Sequence, residues 1–200
     1  MAGKYRIVIV LGMADLPGWA SKLMAEHLEA CEVYDPKWKD ENGLEEKVKG
    51  LGKIIAKAAC NPGPIVVVGI SAGAGLTVEY VLRHPGKISH IFSVGGVLNP
   101  DPEKQELEPL TSTSRGFKEM AFDLAKRLKE LDFDEKLKLG KIITVYDGID
   151  DEVVPKEALE PIWIKKINKI ESKVHLVTIG LALLTDVHNK LEELEGKKIK

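Results

Sequence analysis

The sequence contains few cysteines, a single glutamine and almost no net charge. Its 200 residues include only Cys31 and Cys60, which have no metal-ligand spacing. We expect both to be small core residues in a reducing compartment rather than a disulfide. The formal net charge of −2, with both signs interspersed, excludes the basic surface typical of nucleic-acid or membrane-surface partners. Abundant Lys and Glu with one Gln favour a thermophilic source.

Long apolar runs are also missing. No segment approaches the roughly 18 apolar residues that a transmembrane helix needs. The apolar run at residues 7–11 is too short for the central region of a signal peptide. His and Cys are never clustered at metal-ligand spacing, so neither a metal nor another cofactor is expected. These absences predict a cytoplasmic protein without membrane, nucleic-acid or cofactor partners.

The clearest motif that is present is G-x-S-x-G at residues 69–73. The β-branched run at 65–68 predicts a fully buried strand, and residues 72–82 predict a helix. Ser71 stands at the corner between them, with Gly69 and Gly73 on either side. This pattern is typical of a nucleophile elbow, which needs small residues because strand and helix pass very close. The alternative is a glycine-rich turn that reverses the chain or binds a phosphate at the helix N-terminus.

Predicted strands and helices alternate along the whole chain. Strands are expected at residues 5–11, 31–34, 65–68, 88–94, 141–146 and 174–179. Helices are expected at residues 18–30, 44–60, 72–83, 117–131, 155–170 and 187–194. This order predicts one α/β domain over residues 1–200, with a doubly wound, mostly parallel sheet of about six strands and helices on both faces.

Two further segments are assigned to a flap and to the core. The proline-rich segment 95–115 is predicted to form a short flap over the site, carrying Val97 and Leu98. Trp163 and Ile164, in an Ile-Trp-Ile run, are assigned to the core, with the surface of a homodimer as the alternative.

The position of each histidine relative to the sheet selects a partner for Ser71. A parallel sheet has its active site at the carboxyl ends of its strands, and a serine nucleophile needs a base there. His84 ends a helix at the opposite edge, and His90 and His175 each begin a predicted strand. His27 lies inside a helix. Only His188 follows the carboxyl end of a strand, so it is the predicted base.

The acidic partner is sought in the loop at residues 147–155, after the predicted strand 141–146. Asp150 and Asp151 are adjacent there, and their spacing alone does not separate them. Asp186 is a third option, close to the last helix. The alternative reading is an acidic loop that caps the helix beginning at Pro155.

The order Ser71, Asp151, His188 resembles that of the α/β-hydrolase superfamily, in which nucleophile, acid and histidine follow in this sequence. Residues 148–155, Gly-Ile-Asp-Asp-Glu-Val-Val-Pro, look like the family's G-x-x-D-x-x-V-P segment, and this likeness places the acid at Asp151. The resemblance covers nearly the whole chain. Within the superfamily, the sequence resembles compact members without a large cap, such as small carboxylesterases and the retinoblastoma-binding-protein-9-like serine hydrolases.

The resemblance also implies an activity and an oxyanion hole. The backbone N–H groups of Ala72 and Met13 would stabilise the oxyanion, and Ser71 would form an acyl-enzyme. The expected substrates are small carboxylic esters with short to medium acyl chains. A thioesterase or a serine peptidase would use the same residues. A non-catalytic α/β binding or interaction module is the alternative outside enzymes, because a fold does not imply a function.

Overall fold

The centre of the protein is a six-stranded parallel sheet. The computed structural model describes residues 5–13, 18–100, 112–149, 163–172, 178–180 and 182–194. Its strands are β1 (Arg6–Val10), β2 (Glu32–Tyr34), β3 (Ile65–Ile70), β4 (His90–Val94), β5 (Ile143–Gly148) and β6 (Ile167–Ile170). They lie in the order β2-β1-β3-β4-β5-β6, and every neighbouring pair is parallel. The predicted α/β class and the number of strands are confirmed.

Helices cover both faces of this sheet. They are α1 (Gly18–His27), α2 (Leu44–Ala59), α3 (Ala72–Arg83), α4 (Arg115–Glu130), α5 (Phe133–Lys141) and α6 (His188–Leu194), the last preceded by a π-helical turn at Ala182–Val187. The short helix α5 was not predicted. It begins with a capping box, in which Asp132 accepts from the N–H of Glu135 and the Glu135 carboxylate accepts in return.

Alternation along the central strands divides the core into two layers. Val8 and Val10 face the layer that contains α2, α3 and α4, whereas Ile7 and Ile9 face the layer that contains the C-terminal helical segment. Because both faces are covered, β3 is buried along its whole length. This burial explains why the strand reads as a continuous β-branched run rather than as an alternating one.

The register of the central strands aligns the segments that leave them. Val10 of β1 lies beside Gly69 of β3, and Gly69 lies beside Ser93 of β4. The loop after β1, the corner after β3 and the turn after β4 therefore emerge side by side at the carboxyl edge of the sheet.

The sixth strand is not where the sequence predicted it. Residues 167–170, assigned to the end of a helix, form β6, and residues 178–179, assigned to a strand, are helical. β6 is an edge strand with exposed Asn168 and Lys169. A polar edge strand of this kind lacks the apolar signal that made the run at 174–179 look more strand-like.

Three predictions about individual side chains also have clear outcomes. Val97 and Leu98 are fully buried in the core, so they do not line a flap, and residues 101–111 of the predicted flap lie outside the described residues. Trp163 is 5% exposed and belongs to the core, as predicted. Cys31 and Cys60 are exposed free thiols, so the prediction that they are core residues is wrong.

The described ranges contain neither a candidate membrane span nor a cluster of metal ligands. None of the helices there combines the length and the apolar character needed to cross a membrane. No group of three His, Cys, Asp or Glu side chains in the same ranges is placed to hold a metal ion.

Candidate active site

Ser71 occupies a strained corner between β3 and α3. Its φ of 50° and ψ of −123° fall outside the backbone regions that residues with side chains normally adopt. Such a conformation costs on the order of 1–3 kcal/mol and persists only when the surrounding structure enforces it. Here its N–H donates to the carbonyl of Val94 at 2.9 Å, and its carbonyl accepts from the N–H of Ala74 at 3.0 Å.

The two glycines that flank Ser71 allow the helix to cross close to the strands. A Cβ on Gly69 would lie 2.5 Å from the Cα of Ala74, within the first turn of α3. A Cβ on Gly73 would collide with the carbonyl oxygen of Val10 at the end of β1. The contacts are with backbone atoms, so a side chain at either position would displace the corner. The strand, the corner and the closely packed helix therefore lie where the sequence motif predicted them.

The loop after β1 lies directly against this corner. A Cβ on Gly12 would stand 2.8 Å from both the Ile70 carbonyl oxygen and the Ser71 Cβ. Met13, the next residue, is half-buried and packs against the core layer under α2 and α3. On the other side of Ser71, the buried Ala72 begins α3. N–H groups in the first turn of a helix have no intrahelical acceptor, so they are available to an anion.

The hydroxyl of Ser71 is not engaged by the helix that follows it. Ser71 occupies the N-cap position of α3, yet its side chain makes no capping hydrogen bond. The nucleophile candidate is half-buried, and its Oγ is paired with none of the residues that the structure describes. The hydroxyl is therefore not used to cap the helix.

The structure places His188 against His27, not against Ser71. The two imidazole rings lie 4.7 Å apart between centroids, at an angle of 34°. His27 is in the last turn of α1, and the N–H of Cys31 shortly after it donates to Ile7 near the start of β1. The ring pair therefore lies toward the amino edge of the sheet.

The charge of Lys190, two residues after His188, also acts on a residue at that edge. Burial, together with the charges of Lys166 and Lys190, lowers the pKa of His90 to about 4, and His90 begins β4. Ser71 follows the carboxyl end of β3, and a six-residue strand spans about 20 Å. The structure thus does not bring together the predicted nucleophile and the predicted base.

The misplaced strand explains this difference. With a strand at 174–179, His188 would follow the carboxyl edge after a short loop. Instead, residues 178–180 and Ala182–Val187 are already helical, and the Tyr146 hydroxyl reaches the carbonyl of Asp186 at 3.5 Å. By residue 188 the chain has run back along the face of the sheet.

The two candidate acids, Asp150 and Asp151, lie outside the described residues, which stop at Ile149 on this side. The strand that leads to them is well defined. Asp147, near its end, is 1% exposed and forms a 2.9 Å ion pair with Lys169 of β6. The end of β5, which precedes the two candidate acids in the sequence, is therefore at the same edge of the sheet as Ser71.

The chain passes the end of β5 twice. A Cβ on Gly148 would lie 2.5 Å from both the Ser172 carbonyl oxygen and the Thr178 hydroxyl. The segment 173–177, which contains His175, joins these two residues and lies outside the described residues. A strand at 174–179 would exclude His175 as the base, because His175 would then lie near the start of that strand, at the amino edge. That reason does not hold for residues 178–179, which are helical.

The other two histidines lie away from the corner, as the sequence argument expected. His90 begins β4, and its Nε2 lies 2.9 Å from the Thr144 hydroxyl of β5. His84 follows the last residue of α3, and its ring contacts that of Tyr80 at 4.7 Å. Both residues are at the amino edge of the sheet.

Comparisons with known proteins identify the fold but not a closer relative. No family model matches the sequence, and no curated protein matches it. Solved structures do match it in three dimensions, over almost the whole chain.

One match is a structure of the metagenome-derived lipolytic enzymes LipS and LipT. It has a TM-score of 0.64 and 14% identity, and the match covers 98% of this chain and 94% of that chain. The ydeN gene product of B. subtilis matches with a TM-score of 0.62 and 14% identity, and the match covers 96% of this chain and 100% of that chain. Est1E from Butyrivibrio proteoclasticus matches with a TM-score of 0.59 and 13% identity, and the match covers 97% of this chain and 87% of that chain. With its parallel sheet and strained serine corner, the chain has the α/β-hydrolase fold.

Proposed function

We propose that the protein is a serine hydrolase that cleaves carboxylic esters through an acyl-enzyme on Ser71. The observation that carries this proposal is the strained serine at the strand-to-helix corner, with the loop of Gly12 packed directly against it. Backbone strain at a nucleophile is typical of functional sites. The names of the matched lipolytic enzymes and of Est1E support the same class of reaction.

In the proposed mechanism the Ser71 Oγ attacks the ester carbonyl carbon while a histidine takes its proton. The negative charge on the tetrahedral oxygen is stabilised by the N–H groups of Ala72 and Met13, each worth about 3 kcal/mol. The histidine then protonates the alcohol as the bond to it breaks. Water, activated by the same histidine, releases the acid from Ser71. Asp151 orients the histidine and stabilises its charged form.

We propose His175, ahead of His188, as that histidine. His188 stacks on His27 toward the amino edge, whereas His175 lies in the five-residue segment that joins Ser172 to Thr178. Both of those residues are beside Gly148, at the edge that carries Ser71 and the end of β5. The order of nucleophile, acid and histidine along the chain is unchanged by this reassignment.

The proposal is tested by hydrolysis of p-nitrophenyl butyrate and by labelling with a fluorophosphonate. Ser71→Ala should abolish both, and His175→Ala should abolish hydrolysis. Ser89→Ala is the matched control, because Ser89 is exposed and precedes β4 at the opposite edge. Labelling of Ser71→Ala at the wild-type level would contradict the assignment of the nucleophile.

We further propose that the substrates are esters with short to medium acyl chains. We also propose that the protein is located in the cytoplasm. A series of p-nitrophenyl esters from acetate to palmitate tests the chain length, and the highest kcat/KM on the longest esters would contradict it. Matched oxyesters and thioesters of one acyl group separate an esterase from a thioesterase, since both use the same nucleophile.

A further inference from the structure

We propose that Trp38 is a positioning residue for the oxyanion loop, a role that rests on the proposed function of Ser71. Its indole Nε1–H donates to the carbonyl oxygen of Leu11 at 3.1 Å. The two residues are 27 positions apart in the chain, and the indole is 2% exposed. Leu11 immediately precedes Gly12, the residue that packs against Ser71.

This hydrogen bond fixes more than one carbonyl group. The peptide bond between Leu11 and Gly12 is planar, so holding the carbonyl of Leu11 also sets the direction of the Gly12 N–H. The N–H of Leu11 donates in turn to the carbonyl of Tyr34 at 2.9 Å. Both polar backbone groups of Leu11 are therefore hydrogen-bonded, two residues before the N–H group of Met13.

The indole ring contacts two side chains, and the backbone of Trp38 makes a third contact. Its ring meets Phe117 edge to face, with centroids 6.0 Å apart and an interplanar angle of 75°. The ammonium group of Lys47 lies 5.8 Å from the ring centroid. The backbone carbonyl of Trp38 accepts from the hydroxyl of Ser114, which also caps α4. The donor therefore has little freedom to leave the Leu11 carbonyl.

A buried lysine fixes the backbone on which Trp38 stands. Lys47 is 1% exposed, and its ammonium group donates to the carbonyls of Pro36 and Lys37 at 2.9 and 3.0 Å. The Asp40 carboxylate, 2.7 Å away, balances its charge. Three groups on the 36–40 loop thus converge on one cation, and Trp38 lies between them.

Oxyanion stabilisation depends on donors that are already in place before charge develops. Without the indole N–H, the carbonyl of Leu11 would be buried without a partner, and the peptide would be free to turn toward another donor. That rotation would move the N–H groups of Gly12 and Met13 relative to Ser71. Ground-state binding of the ester does not use those groups, so the expected loss is in kcat rather than in KM.

Trp38→Phe tests this inference, because it keeps an aromatic ring and removes the donor. Trp163→Phe is the matched control: Trp163 is similarly buried but packs against Gly140 of α5, at the amino edge of the sheet. With p-nitrophenyl butyrate, we expect kcat of Trp38→Phe to fall about tenfold or more while KM changes less than about twofold. Trp163→Phe should keep the wild-type kcat.

A second readout does not depend on activity. In amide NMR spectra, Trp38→Phe should shift the resonances of Gly12 and Met13, and Trp163→Phe should not. Unchanged Gly12 and Met13 resonances in a folded Trp38→Phe variant would overturn the inference, as would an unchanged kcat. Wild-type protein with neither hydrolysis nor labelling would overturn the proposed function instead, and the amide shifts would still show whether Trp38 orients the loop.

Discussion

Gly12 and Ser71 are so close that no side chain fits between them: a Cβ on Gly12 would lie 2.8 Å from the Cβ of Ser71. Real Cβ atoms essentially never approach this closely, and the Ile70 carbonyl oxygen is equally near. The loop after β1 and the corner after β3 therefore form one packed unit. The position of Met13 relative to the nucleophile depends on a glycine at residue 12.

We expect Gly12→Ala to reduce hydrolysis far more than it reduces stability. The added methyl group must push the loop away from Ser71, because its nearest neighbours are a backbone oxygen and the nucleophile's own Cβ. Misplacing one oxyanion donor should lower kcat about 100-fold. Gly18→Ala is the control, since nothing lies within 4 Å of a Cβ there. Equal kcat values for the two variants would contradict this view of the loop.

The contact between His188 and His27 predicts that His188 is dispensable for catalysis. We expect His188→Ala to keep hydrolysis of p-nitrophenyl butyrate within about twofold of the wild type. Loss of the ring contact should lower the free energy of unfolding by about 1 kcal/mol. Denaturant unfolding and kinetics on the same samples check both statements. Abolished hydrolysis in His188→Ala with an intact fold would restore His188 as the base.

The elbow and the central sheet could be predicted because their signals are local. The strand run, Ser71 and its two flanking glycines occupy one short stretch, and the geometry follows from which residues tolerate a tight crossing. Five of the six strands were placed correctly for a similar reason. The buried central strands must be apolar on both faces, so they stand out from the helices.

The rest of the site depends on contacts that the sequence does not display. Trp38 is hydrogen-bonded to Leu11, 27 residues earlier in the chain, and the sequence around Trp38 does not indicate that its indole contacts another loop. Lys47 sits in an amphipathic helix, where a lysine normally indicates the exposed face, yet it is buried. The placement of His188 required knowing that residues 178–180 and 182–187 are helical, and the apolar run in this part of the sequence fits a strand equally well.

The imidazole of His90 should make the protein less stable in mild acid. Burial first, and then the charges of Lys166 and Lys190, lower its pKa to about 4 in the folded state. Between that value and the unfolded value of about 6.5, the unfolded chain binds a proton that the folded chain does not. Stability is therefore complete above pH 6.5 and is lost progressively as the pH falls toward 4, by on the order of 2–3 kcal/mol.

His90→Asn measures this contribution, because asparagine does not titrate and keeps a polar group near the Thr144 hydroxyl. Urea unfolding at several pH values between 4 and 7 should give a shallower decline of stability in His90→Asn than in the wild type. His84→Asn is the control, since His84 is exposed at the end of α3. Parallel pH curves for the wild type and His90→Asn would contradict the assignment.

The last prediction concerns a buried carboxylate between two helices. Glu79 of α3 is fully buried and accepts from Arg83 at 2.5 Å and from Arg127 of α4 at 2.8 Å. Arg83 also pairs with Asp123 at 2.6 Å. A carboxylate with two guanidinium partners links α4 to α3, whose N-cap residue is Ser71.

Glu79→Gln should destabilise the fold, because it removes the charge that Arg83 and Arg127 share while leaving both cations in place. Breaking a buried ion pair from one side costs about 3 kcal/mol, which corresponds to a fall in Tm of roughly 6–12 °C for a domain of this size. Glu26→Gln removes an exposed pair with Lys22 and should cost less than about 0.5 kcal/mol. Calorimetry of both variants makes the comparison. Equal Tm values would mean that burial of Glu79 costs as much as its two ion pairs supply, and the network would then contribute to the orientation of α3 rather than to stability.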